Sequence, residues 1–91
     1  MMYDVWPSKN FRNDLKRIQK RGYNIALLEE IITTLAEGKS LPEKNRDHAL
    51  TGNFKGLCEC HIAPDWLLVY EYCEEKLYLY LTRTSTHSDI F

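Results

Sequence analysis

The residues best suited to chemistry are His48, His61 and His87, with Asp65, Trp66 and Arg83 near two of them in the chain. An imidazole titrates near neutral pH, so it can accept or release a proton under physiological conditions. Two imidazoles divide that work when one is neutral and the other charged. An arginine adds a fixed positive charge suited to phosphate. General base, general acid and anion stabiliser are together sufficient to cleave RNA without a metal. The base takes the ribose 2′-hydroxyl proton, that oxygen attacks the adjacent phosphorus, and the acid protonates the departing 5′-oxygen. Aromatic side chains stack on bases, which suits Trp66 and outward-facing tyrosines.

These residues are scattered in sequence, so secondary structure must bring them together. "MYDVW" alternates in polarity and predicts a short strand over Met2–Trp6, ended by Pro7. Ser8 is a suitable N-cap, and Phe11, Leu15 and Ile18 draw one apolar helical stripe, closed by Gly22. Asn24 caps a second helix carrying Ile25, Leu28, Ile31, Ile32 and Leu35, closed by Gly38. Two helices so briefly linked form an antiparallel hairpin. The polar stretch "KSLPEKNRDHALTG", Lys39–Gly52, reads as a long loop.

The remainder reads as sheet. "NFKGLCECHI" alternates over Phe54–Ile62, "APDW" is a turn, "WLLVYEYC" is a central strand, and "EEK" is a hairpin turn. "LYLYLTRT" then places Leu77, Leu79 and Leu81 on one face and Tyr78, Tyr80 and Thr82 on the other. Short links make these strands an antiparallel meander. The order β-α-α-β-β-β predicts one α+β domain over residues 1–91, with the helical hairpin packed on one face of an antiparallel sheet. In that topology one strand ends at His61, the next begins at Trp66, and the last ends beyond Arg83. All three points fall at one edge of the sheet, together with Asp65 and the segment bearing His87.

Each of these residues also has a plainer reading. A single histidine in a small domain is most often a surface or capping group, Asp65 after Pro64 is ordinary turn chemistry, and Trp66 at a strand start is most often core. "CECH" offers a competing zinc site at Cys58, Cys60 and His61, with Asp65 as a fourth ligand. Strand alternation opposes it, because it puts the two thiols on one face and His61 on the other.

Composition narrows the classes further. The formal net charge is −1, yet Ser8 to Arg21 holds six cations and one anion, a local charge of +5. Such a stretch suits an anionic partner met by one face. The chain opens without an apolar run and contains no stretch long enough to span a bilayer, and its three cysteines are an odd number. Those features predict a cytoplasmic protein with reduced thiols and no membrane contact.

The segments "DHALTGNFKG", "ECHIAPDWLLVY" and "RTSTHSDIF", in that order and spacing, resemble the C-terminal half of YafQ-type toxins of the RelE superfamily. The resemblance implies a type II toxin that acts as a ribosome-dependent endoribonuclease on mRNA and is restrained by a cognate antitoxin. It implies no cofactor. By motif position it assigns the active site to His48, His61, Asp65, His87 and Phe91, with proton transfer at His61, Asp65 and His87 and His48 beside the scissile phosphate. Phe91 and Trp66 would place a base, Arg83 corresponds to the strand-end arginine, and Lys16, Arg17, Lys20 and Arg21 would contact RNA. Many such toxins are distinctly basic; here only the first helix is. A second reading keeps the fold but makes the chain a catalytically weak binding module, acting through its antitoxin or an RNA partner.

Overall fold

The computed structural model describes residues 2–90. The elements run β1 (Asp4–Pro7), α1 (Lys9–Lys20), α2 (Ile25–Ala36), β2 (His48–Ala49), β3 (Cys58–Ala63), β4 (Trp66–Cys73), β5 (Tyr78–Ser85) and α3 (His87–Ile90). Short 3-10 turns occupy Glu43–Asn45 and Gly52–Phe54. The five strands form one sheet in the order β1-β5-β4-β3-β2. This is the expected α+β architecture, with α1 and α2 over one sheet face.

Both helices begin where their caps predict. Ser8 Oγ accepts from the Phe11 amide at 2.9 Å, and Asn24 Oδ1 accepts from the Ala26 amide at 3.2 Å. After α1 the chain reverses at Gly22, whose φ of +80° would strain any side-chain-bearing residue. Phe11, Ile18, Leu28 and Leu35 are buried against Cys60, Trp66, Leu68, Tyr70, Leu79 and Leu81 from the sheet. Burying side chains of this size stabilises by about 1.5–3 kcal/mol each, so this layer holds the helices down. Tyr72 adds a polar tie, its hydroxyl donating to the Leu35 carbonyl at 2.7 Å.

The strands depart from expectation in four places. β1 begins at Asp4, includes Pro7, and pairs parallel with β5, so the sheet is mixed. Pro7 is tolerated there because β1 is an edge strand and a proline's missing N–H costs least at an edge. The loop over 39–52 contains β2, whose His48 pairs antiparallel with Glu59. β3 starts only at Cys58, because Gly52–Phe54 turns instead of extending. Leu77 lies in the β4–β5 turn at φ +54°, so β5 begins one residue later. Its leucines and tyrosines otherwise divide as predicted: Leu79 and Leu81 are buried, while Tyr78 and Tyr80 are half-buried on the other face. A bulge interrupts β5, since Leu81 pairs with Tyr70 and Arg83 with Val69, leaving Thr82 without a partner. Among the described residues no helix is long and apolar enough to cross a membrane.

Candidate functional site

Strand register assembles the site. Cross-strand partners run His48–Glu59–Val69–Arg83 in one row and, two residues along β3, His61–Leu67–Ser85 in another. Directly paired residues share a face, and so do residues two apart on one strand. His48, Glu59 and His61 therefore stand together on the face opposite the core cluster. The second row also sets the end of β5 across β4 from the end of β3, and His87 follows Ser85 by two residues at the start of α3. The ends of β3 and β5 and the start of β4 therefore lie at one end of the sheet.

Glu59 is the residue that sequence reasoning passed over. Its side chain is nearly buried, and its Oε1 lies 3.6 Å from His48 Nε2 and 3.9 Å from His61 Nε2. One carboxylate oxygen thus faces both imidazoles. A signal for it was available, because alternation puts a carboxylate at Glu59 on the same face as His61. His48 has a defined orientation as well. Its Nδ1 lies 2.7 Å from the Arg46 carbonyl. A carbonyl only accepts, so Nδ1 carries the hydrogen and the neutral ring presents a lone pair at Nε2. His61 is held through its backbone: its carbonyl accepts from Asn45 Nδ2 at 2.7 Å.

The strand bearing His48 is moored to the core. The Tyr70 hydroxyl donates a short hydrogen bond to Asp47 Oδ1, and burial together with that carboxylate pushes the phenol's pKa far above its ordinary value. α3 is moored too. Asp89 Oδ2 accepts from Ser85 Oγ at 3.0 Å and from Arg21 Nη1 at 3.3 Å, and these contacts hold its carboxyl below the usual range, the hydrogen bond from Ser85 foremost. His87 is exposed in the helix this anchor fixes. Asp65 is exposed in the two-residue turn between β3 and β4. Phe91 lies outside the described residues.

Two expected binding residues are placed elsewhere. Trp66 is 2% exposed, packs edge-on to Tyr23 with ring centroids 5.1 Å apart, and donates from Nε1 to Thr84 Oγ1 at 2.9 Å. A ring enclosed by the core has no open face for a base, so Trp66 is a packing residue. Arg83 turns its guanidinium to α1. Its Nε and Nη2 donate to Asp14 of α1 at 2.6 and 3.0 Å, which raises its pKa further. Past Leu81, β5 has lost its β1 neighbour, and α1 packs there instead. Asp14 also accepts from the Thr84 amide at 3.1 Å, so this carboxylate satisfies the strand's open edge.

Lys16, Arg17, Lys20 and Arg21 are all exposed along α1. Arg17 approaches Asp14 at 3.5 Å and Arg21 meets Asp89. The zinc alternative fails on geometry: Cys58 and Cys60 pack toward the core while His61 faces away. Burial pushes the Cys60 thiol far above its ordinary pKa, which opposes the thiolate that zinc requires. Among the described residues no cluster of His, Cys, Asp and Glu has the arrangement of a metal site.

Comparison with known proteins identifies the family. The family described as the bacterial toxin of type II toxin–antitoxin system, YafQ, matches residues 3–91. The mRNA interferase toxin YafQ of Escherichia coli K12 is 34% identical over 89 residues, which is 97% of this chain and 95% of that protein. The crystal structure of a metal-bound toxin from Helicobacter pylori superposes with a TM-score of 0.93 at 38% identity, covering 100% of both chains. The YafQ chain of the E. coli DinJ–YafQ toxin–antitoxin complex gives a TM-score of 0.90 at 33% identity, covering 100% of this chain and 99% of that one. By family match, identity over nearly its whole length and fold, the chain belongs to the YafQ family of bacterial type II toxin–antitoxin toxins.

Proposed function

We propose that this protein is a ribosome-dependent endoribonuclease that cleaves mRNA in the cytoplasm by general acid–base catalysis, and that a cognate antitoxin restrains it. The observation that carries the reading is the single Glu59 oxygen facing both His48 Nε2 and His61 Nε2. In the reaction, an imidazole of this pair removes the 2′-hydroxyl proton, and Glu59 stabilises the imidazolium that results. The 2′-oxygen attacks phosphorus, the P–O5′ bond breaks, and a 2′,3′-cyclic phosphate and a 5′-hydroxyl are left. His87 delivers the proton to the departing oxygen, and Asp65 adds a carboxylate at the same end of the sheet. Phe91 places a base. Lys16, Arg17, Lys20 and Arg21 hold RNA through its phosphates. Related toxins named as mRNA interferases, and one solved with its antitoxin, support the activity and the partner.

The test is primer extension on a defined message, free and on translating ribosomes. The wild-type protein cuts the ribosome-bound message, and His87→Ala loses about 10²–10⁴-fold of that activity, the usual contribution of a positioned acid or base. Its melting temperature stays at the wild-type value. Equal cutting by both proteins removes His87 from the reaction, and equal cutting of free message removes the ribosome.

A further inference from the structure

One short segment holds both histidines, His61 by its backbone and His48 by its ring. Asn45 Nδ2 holds the His61 backbone, and the Arg46 carbonyl holds His48 Nδ1. The same segment walls a cavity of about 520 Å³. Leu27, Ile62 and Pro64 give it apolar sides, Lys44 and Arg46 give it cations, and His61 is in its lining. No acidic residue lines it. Its volume is within the range of small-ligand sites, roughly 300–1,000 Å³. It is distinct from the basic face of α1 and from the aromatic residues of β5.

Asn45 provides a second observation. It is 5% exposed, and its Oδ1 is the one buried side-chain N or O without a hydrogen-bond partner among the described residues. Buried acceptors are normally satisfied, so a lone one in a cavity wall calls for an explanation. That oxygen is closed off in this structure, and a ligand N–H reaches it when the Asn45 amide turns toward the cavity.

We propose that this cavity is a nucleotide subsite. It takes the nucleotide adjoining the scissile phosphate, with the base against Leu27, Ile62 and Pro64 and a phosphate against Lys44 and Arg46. The inference rests on the endoribonuclease reading and extends it to where a nucleotide is seated. Every nucleobase carries an N–H donor, an exocyclic amine in adenine, cytosine and guanine and N3–H in uracil, so any of them meets the Asn45 Oδ1 requirement. An acidic peptide segment of the antitoxin would also meet the two cations. The nucleotide is favoured because the cavity wall is hydrogen-bonded directly to both histidines of the site.

The experiment is titration of the ¹⁵N-labelled full-length protein with AMP, CMP and UMP, read by amide chemical shifts. Saturable shifts are expected at 27, 44–46 and 61–64 with each of the three nucleotides. Leu27→Asp and Lys44→Ala change exposed side chains, so their spectra stay folded; each weakens AMP binding about tenfold. Shifts centred elsewhere, or unchanged affinity in both variants, overturn the proposal. So does loss of antitoxin binding in these variants with nucleotide affinity intact, which would make the cavity a peptide groove. The His87→Ala assay separates the two readings. Full cleavage by that variant removes its assigned proton transfer without bearing on the titration, whereas an inactive His87→Ala beside unchanged Leu27→Asp affinity sinks the subsite alone.

Discussion

Arg83 and Asp14 are joined at two points, Nε to Oδ2 at 2.6 Å and Nη2 to Oδ1 at 3.0 Å, across 69 positions of chain. Asp14 is 2% exposed, and the Arg83 side chain is 27% exposed. Asp14→Ala strands the guanidinium and leaves the Thr84 amide without its acceptor. Breaking a fully buried ion pair costs about 3–5 kcal/mol; partial exposure of Arg83 reduces this to about 2–3 kcal/mol. Urea unfolding measures it. A loss under about 0.5 kcal/mol, the level of an ordinary surface change, would show that the pair does not hold α1 to β5.

Glu59→Gln keeps the shape of the side chain and removes the charge between the two imidazoles. Cleavage on ribosomes falls about 10–100-fold, less than the 10²–10⁴-fold loss expected for an imidazole that itself moves the proton. Unfolding is little changed, because a nearly buried carboxylate gives up a desolvation penalty when it becomes an amide. Wild-type cleavage by this variant would show that the carboxylate is only a structural acceptor.

Tyr70→Phe releases Asp47, the residue immediately before His48. Hydrogen bonds to charged groups contribute about 1.5–3 kcal/mol. Exposure of Asp47 puts this one at the low end, at about 1.5 kcal/mol by denaturant unfolding. Activity falls more steeply than stability, since β2 loses the tie that positions His48. Asp47→Asn retains an acceptor oxygen and has the smaller effect on both. The reverse order would refute the mooring role.

The anchor on α3 responds to acid. The Asp89 pKa is lowered in the folded protein, by Ser85 first and also by Arg21. A depressed carboxyl pKa stabilises above the unfolded value of about 3.9 and loses that contribution as pH falls through the folded one. The amide shifts of residues 86–90 therefore remain native through pH 4 and change only below it. In Asp89→Asn those residues show the released pattern already at neutral pH. A wild-type transition at or above pH 4 would contradict the assignment.

Much of this was legible from residue types alone. Ser8 and Asn24 marked the helix starts because each supplies a side-chain acceptor to an otherwise unpaired amide. Period-two alternation separated Leu79 and Leu81 from Tyr78 and Tyr80, and short turns fixed an antiparallel meander. That topology was enough to bring His61, Asp65 and the His87 segment to one edge. The exceptions depended on tertiary contacts with no local signature. β2 has only two residues, so its pairing with β3 leaves no periodic trace. The partner of Arg83 lies 69 residues away, though a lone Asp14 between Phe11 and Ile18 on an otherwise basic helix was a clue. Trp66 at a strand mouth fits a core or a binding site equally well until the helix above it is placed.

Arg46 adopts φ +47° and uses its carbonyl to fix His48. Glycine and asparagine accept that backbone readily, whereas β-branched side chains resist it. A valine or isoleucine there would turn the carbonyl away and leave the imidazole unsteered, with every titratable group still in the chain. Cells selected to survive this toxin therefore have a route to immunity that a survey restricted to its histidines and carboxylates would overlook.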